Sequence, residues 1–425
     1  MTHRILLFLA VLLVIFATAN LIAQDLPDVS SVKDLPSTTT PSPRYQRLHP
    51  LSIHSLPNFL NTDVSAALAP NAQATPFALA NVISVPNFQG SFPSRGKTWP
   101  FTMMGAAPTS GATVNIPTHI VAVSLRLQNA NLATFTTVPV GAFQTPTLNS
   151  PNFQAANYSS GAGIQFADAV QRAEFFHLMK PTWHTALRPA AIVHTLTLNV
   201  PRFTPITLNG KKTQVRTYFT SKASDGRTVV FLLDQFFNQQ ISNIVVNEIN
   251  AGRFNTNAVN VALFPNTFLY SVNSSGGMGA CCILGFHTYF TDNGTPKESR
   301  WMFAFASWIS PGVFSGGFQD VTALSHELSE IFNDPFVDNL VPAWQFPNQP
   351  GTCQNDLEVG DPVEVLTNAV FPVHVSGFTY HPQTEALLQW FEQKSPSTAL
   401  NHAFSYPNTS ALTKPATPFG PLTCQ

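Results

Sequence analysis

From Trp301 to Gln393 the chain has no Lys and no Arg, yet it carries eleven acidic residues. Half of the chain's 22 Asp and Glu thus fall within 93 of its 425 residues, while all 21 basic residues lie elsewhere. Carboxylates brought together by folding raise one another's pKa and repel unless a cation compensates them. Arg and Lys from distant segments are one source of that charge. A bound metal ion is the more economical one, and it constrains the fold, because the acids must converge.

The stretch "VTALSHELSEIFNDP", residues 321–335, is the natural centre of such a site. Val321, Leu324, Leu328, Ile331 and Phe332 recur three or four apart, which predicts a helix with an apolar stripe. Asp320 is the expected N-cap, and Asp334-Pro335 the expected end. At 3.6 residues per turn, His326 and Glu330 stand one above the other, and Glu327 is rotated from His326 by about 100°. Two ligands one turn apart grip one ion, and a third must come from elsewhere. Glu327 is then placed to act as general base on a water activated by the ion. Zinc accepts carboxylate oxygen, while an oxygen-richer set also suits Ca2+ or Mn2+. The competing expectation is an ordinary helix that shows His326, Glu327 and Glu330 to water.

"NDLEVGDPVEV", residues 355–365, offers the third ligand. Glu358 is the first choice, Asp361 is expected behind it as a supporting partner, and Gly360 permits a tight turn. A solvent-facing turn carboxylate is the alternative. His287 in "LGFHTYF" is a second candidate ligand, although an imidazole in an apolar strand is commonly a satisfied core residue. His374, Tyr380 and His381 could polarise a substrate carbonyl if they reach the same cleft. Trp301, Trp308, Trp344 and Trp390 either line such a cleft or fill the core.

Charged residues make up only 10% of the chain, and Phe and Pro occur 35 times each. That balance suits a loop-rich, β-containing globular body. The net charge is −1, with no basic block, so a nucleic-acid partner is not expected. Residues 60–205 read as a β-rich N-terminal lobe, with alternation at 118–129 and 191–200 and a helix near 165–179. Residues 206–425 read as strands, a helix over 235–252 closed by Gly252, further strands at 258–264, 281–290 and 300–309, and the late polar helix. The fold class expected is α+β. No G-x-S-x-G elbow is present, which argues against an α/β-hydrolase.

His3 and Arg4, the apolar run 5–17 and the small residues at 17–19 read as a signal peptide over 1–19. Residues 20–59, rich in Pro, Ser and Thr over most of their length, read as a flexible tether. The mature chain is expected to be secreted, periplasmic or extracellular, with no stable membrane insertion. Export permits disulfides. Of the four cysteines, the neighbours Cys281 and Cys282 are not expected to join each other, because disulfides favour Cα atoms 4.4–6.8 Å apart. One of them is expected to pair with Cys353, leaving the other to pair with Cys424 or to stay free.

"LGFH", "SHELSEIFNDP" and "EVGD" together resemble exported bacterial proteins with zincin-like HExxE signatures, and are more distantly similar to the plant phosphate-induced, exordium-like group. The resemblance covers roughly residues 280–365. It implies a zincin-like C-terminal domain and a metal-dependent hydrolase fold, zinc being the first metal expected, and points by position to His326, Glu327, Glu330 and Glu358. A peptide or cell-wall-associated substrate would fit. Glu330 replaces the second His of the zinc peptidases. A non-catalytic cell-surface or extracellular binding protein with a structural cation is therefore the other reading.

Overall fold

The computed structural model describes residues 51–52, 84–291 and 299–424. The expected signal peptide and nearly all of the expected tether lie outside these residues. The fold is α+β and rich in sheet, organised on one seven-stranded mixed sheet. Its order is Leu51–Ser52, Gly285–Thr291, Arg300–Trp308, Val259–Pro265 and Thr113–Gln128, with both Thr134–Val138 and His184–Val200 paired to the last of these. The 259–265 strand runs parallel to both neighbours, with Val261 opposite Ala304 on one side and Ile120 on the other. The 285–291 strand is antiparallel to 300–308 and places His287 opposite Ala304. The sheet therefore draws strands from both sides of the expected boundary at 205/206, and the two segments share one framework.

Alternation along these strands divides two cores. Ile120, Ala122, Val261, Leu263, Ala304 and Ala306 face one side. Val121, Val123, Ala262, Phe264, Phe303 and Phe305 face the other. The second side is covered by the helix Asp234–Asn250, which sets the Phe237 ring 4.4 Å from that of Phe305. Gly252, at φ +69°, follows that helix, as its sequence position led us to expect. The first side receives the helix Thr322–Asn333, called the site helix below. The strands and the 165–179 helix read from periodicity are present, the latter as Phe166–Glu174, and the apolar run 281–290 is two strands that meet at Leu284.

Two local expectations need correction. Asp320 is not the N-cap: Val321 holds that position without a side-chain cap, while Asp320 adopts φ +44° and bridges to Ile309. The Asp320 carboxylate instead accepts the Val321 and His381 backbone N–H groups. The cysteines also pair differently. Cys281 bonds to Cys282, and Cys353 bonds to Cys424. The C-terminal segment runs along Leu340–Gln345, with Ala343 N–H donating to Leu422 O at 2.9 Å and Gln345 N–H to Thr417 O at 3.2 Å. Gln345 is itself the strand partner of Cys353. The chain end is thereby delivered to Cys353, which no spacing rule could show. Trp308, Trp344 and Trp390 are core residues.

Candidate metal centre

The site helix is buried along its whole length, so the expectation of a water-facing polar side does not hold. Its apolar stripe reaches the core through Leu324, Leu328 and Ile331, and its polar side turns into a second enclosed space. One wall of that space is the 285–291 strand. Residues 285, 287 and 289 share a face, because strand side chains alternate. Gly285 lies against Glu327, where a Cβ would come 2.5 Å from Glu327 Oε1. His287 points into the acids, and Tyr289 packs edge-on to Phe336.

The opposite wall is the 356–364 segment. Leu357 N–H donates to Asn339 O, and Trp344 Nε1–H to Asp356 O. These contacts hold the acidic turn against the helix. Gly360 N–H donates to Glu330 Oε1 at 3.2 Å. A Cβ on Gly360 would fall 2.3 Å from His326 Nδ1, so only glycine lets the turn approach this closely. Its φ is −80°, so it is the contact, not a left-handed turn, that requires glycine. Asp361 opens a short helix through Glu364. A third strip, residues 381–386, closes the space, with Gln383 N–H on Ser325 Oγ and Ala386 N–H on Val359 O.

Inside, His326 Nε2 lies 3.0 Å from Glu330 Oε1 and 3.7 Å from Asp361 Oδ1. His287 Nδ1 lies 3.2 Å from Glu330 Oε2, 3.6 Å from Glu327 Oε2 and 3.8 Å from Glu358 Oε2. Among the described residues, two trios have ligand atoms mutually within 4.8 Å: His287, Glu327 and Glu330; and His326, Glu330 and Asp361. His326 and Glu330 are thus brought together as expected. Asp361, expected in a supporting role, completes their trio. Glu358, expected to be the third ligand, is instead beside His287. The reason is the short helix at 361, which turns Asp361 toward His326. Tyr380 is committed elsewhere, its hydroxyl donating to Pro146 O, and exposed His374 lies within 3.3 Å of Thr379 Oγ1. His381 Nδ1 meets Asp320 Oδ2 at 2.6 Å.

The electrostatics follow from burial. Loss of water drives Glu358, Asp361, Glu364 and Glu385 well above the usual carboxylate range. Burial also pushes Glu327 up, to about 7, against the pull of His287 and His326. Glu330 is the exception: burial opposes its charge, but the two imidazoles hold it down to about 2. Burial works against both imidazolium ions, yet the neighbouring carboxylates raise both imidazoles well above their ordinary value. Without a metal, the cluster is an enclosed set of acids partly neutralised by two histidines.

The donor set fits a divalent cation. Neither Glu327 oxygen accepts a hydrogen bond, nor does Asp361 Oδ1, although all are buried. Buried polar atoms are ordinarily paired, and a cation would satisfy these. His287 Nε2–H donates to Asp334 O at 3.2 Å, which leaves Nδ1 to face the carboxylates. His326 Nδ1 faces Gln383 Nε2 at 2.9 Å, while Gln383 Oε1 has no hydrogen-bond partner. Gln383 Nε2–H also donates to Gly360 O at 2.8 Å, so the amide bridges the acidic turn and the His326 ring. These buried His, Glu and Asp groups could hold a metal ion.

Sequence reasoning passed over Glu364 and Glu385. Both contribute to the acid count between 301 and 393, and both are buried. His381, Gln383 and Glu385 recur at the two-residue interval of an extended segment, a signal that could have grouped Glu385 with Gln383. No family model, curated protein or solved structure matches the chain.

Proposed function

We propose that the protein is an exported, zincin-like, metal-dependent hydrolase that acts on peptide bonds. The observation that carries this reading is the burial of His326, Glu330 and Asp361 around a common point, with Glu327 beside them and free of hydrogen bonds. A mixed imidazole and carboxylate set suits zinc, with Mn2+ or Ca2+ as harder alternatives. Such a cation, when bound, lowers the pKa of water and polarises a carbonyl. His326, Glu330 and Asp361 would hold it. Gly360 N–H fixes Glu330, and Gln383 orients His326. Glu327 accepts the proton released as water attacks and passes it to the leaving amine. The apolar N-terminal run and the two disulfides support an oxidising destination. Among the described residues no helix is long and apolar enough to cross a membrane.

A second reading draws on the depth of the cluster. His326 and Glu327 have no exposed surface, which suits a structural cation in a non-catalytic extracellular binding protein. Glu327→Gln separates the two. In the zinc-loaded full chain, assayed on a quenched-fluorescence peptide library, hydrolysis should fall by about 10²–10⁴-fold while the ion at His326 is retained. Absence of metal-dependent cleavage by the unaltered protein would remove the hydrolase reading and leave the structural one.

A further inference from the structure

We propose that the cluster is a two-cation centre bridged by Glu330. The two oxygens of this carboxylate face different imidazoles: Oε1 lies 3.0 Å from His326 Nε2 and Oε2 lies 3.2 Å from His287 Nδ1. The two histidines belong to different trios of ligand atoms, and Glu330 is the member common to both. A single ion, with bonds near 2.0–2.2 Å, would serve one trio and leave the other empty.

Each half has its own unsatisfied carboxylate. Asp361 Oδ1 has no hydrogen bond and lies in the trio with His326; both oxygens of Glu327 lack one, and that side chain lies in the trio with His287. Asp361 is 3% and Glu327 0% exposed, so water does not replace the missing partners from bulk. Each half also has a nitrogen that can ligate. On the His287 side it is Nδ1, turned toward Glu330 Oε2 by the Nε2–H bond to Asp334 O. Glu358, 3.8 Å from His287 Nδ1, is the next oxygen within reach of that ion.

A carboxylate that binds one cation through each oxygen holds the pair at the separation of about 3.5–4 Å found in two-metal hydrolytic sites. The first ion is the one in the hydrolase reading, on which this proposal rests for its catalytic meaning alone. The second is held by His287 Nδ1, Glu330 Oε2 and Glu327 Oε2. Bound through that one oxygen, Glu327 keeps Oε1 as its proton acceptor. The pair would bind a substrate carbonyl or carboxylate more firmly than one ion.

The test uses the full chain, stripped with a chelator and reloaded with excess Zn2+ or Mn2+, with unbound metal removed by gel filtration. Elemental analysis should give two ions per chain. His287→Ala and Asp361→Ala should each give about one, with circular dichroism confirming the fold. The Mn2+-loaded protein should give an exchange-coupled electron paramagnetic resonance spectrum, and each variant the six-line spectrum of an isolated ion. One ion per chain in the unaltered protein, or an uncoupled Mn2+ spectrum, overturns the proposal, and neither measurement needs a variant that folds. One ion with peptide hydrolysis overturns the second cation and leaves the hydrolase. Two ions without hydrolysis do the reverse.

Discussion

Glu330 shows how one side chain can organise a buried charge cluster. It sits between His326 and His287, accepts the Gly360 N–H, and is held down to about 2 while Glu327, Glu358 and Asp361 are driven up. In the sequence it looks like a defect in a zinc-peptidase motif. In the fold, a histidine there would supply one ligand nitrogen where the carboxylate supplies two oxygens on two sides. Gly360 is the other residue whose identity is dictated by contact. Gly360→Ala would drive a methyl into the His326 ring, with Cβ 2.3 Å from Nδ1. Overpacking of this kind costs about 1–3 kcal/mol. The expected outcome is a lower midpoint in chemical denaturation and weaker Zn2+ binding by calorimetric titration; an unchanged midpoint and affinity would mean that the turn yields without cost.

At the scale of elements, three short pieces of chain meet around the site helix, and each was legible to a different degree. The helix itself follows from the spacing of Leu324, Leu328 and Ile331. Its polar side could not be assigned to water or to an interior, because periodicity reports only the apolar stripe. The 356–364 turn was visible as an acidic, glycine-containing segment, but which of Glu358 and Asp361 faces His326 depends on the short helix that begins at Asp361. The 381–386 strip was the least legible, since Gln383 acts through an amide contact to His326 that has no motif. The Cys353–Cys424 bond ties the approach to the acidic turn to the chain end across a sequence separation of 71. Removing it as Cys353→Ser with Cys424→Ser should cost about 2–4 kcal/mol in denaturant unfolding, because the unfolded chain regains loop freedom. Zn2+ affinity should fall with it. Equal stability of the double variant would show that backbone pairing along Leu340–Gln345 suffices.

At the scale of the molecule, the sheet explains why the site is enclosed. Strand alternation puts Phe286, Phe303 and Phe305 on one side and leaves Gly285 and His287 for the other, where the site helix lies. Composition and alternation could show an α+β chain with a β-rich N-terminal part. They could not show that 113–128 pairs with 259–265, because register between distant strands is set by packing of both faces at once. The acid excess between 301 and 393 marked the segment whose carboxylates converge, without giving the depth. That depth has a pH signature outside the proposed ligands. Burial raises Glu174 and Glu385 well above their ordinary 4.5. For a group raised on folding, its stabilisation is complete below the unfolded value and is lost as pH rises through the folded one. Unfolding free energy should therefore decline as pH rises above ordinary carboxylate values. Glu174→Gln should flatten the decline, and an identical slope in that variant would contradict the assignment. Whether the cluster holds metal is read from the metal content of the full chain after Zn2+ loading. At least one tightly held ion per chain is expected, lost in Glu330→Ala. A chain that emerges from loading free of zinc, or one whose Glu330→Ala variant retains as much as the unaltered protein, would contradict it.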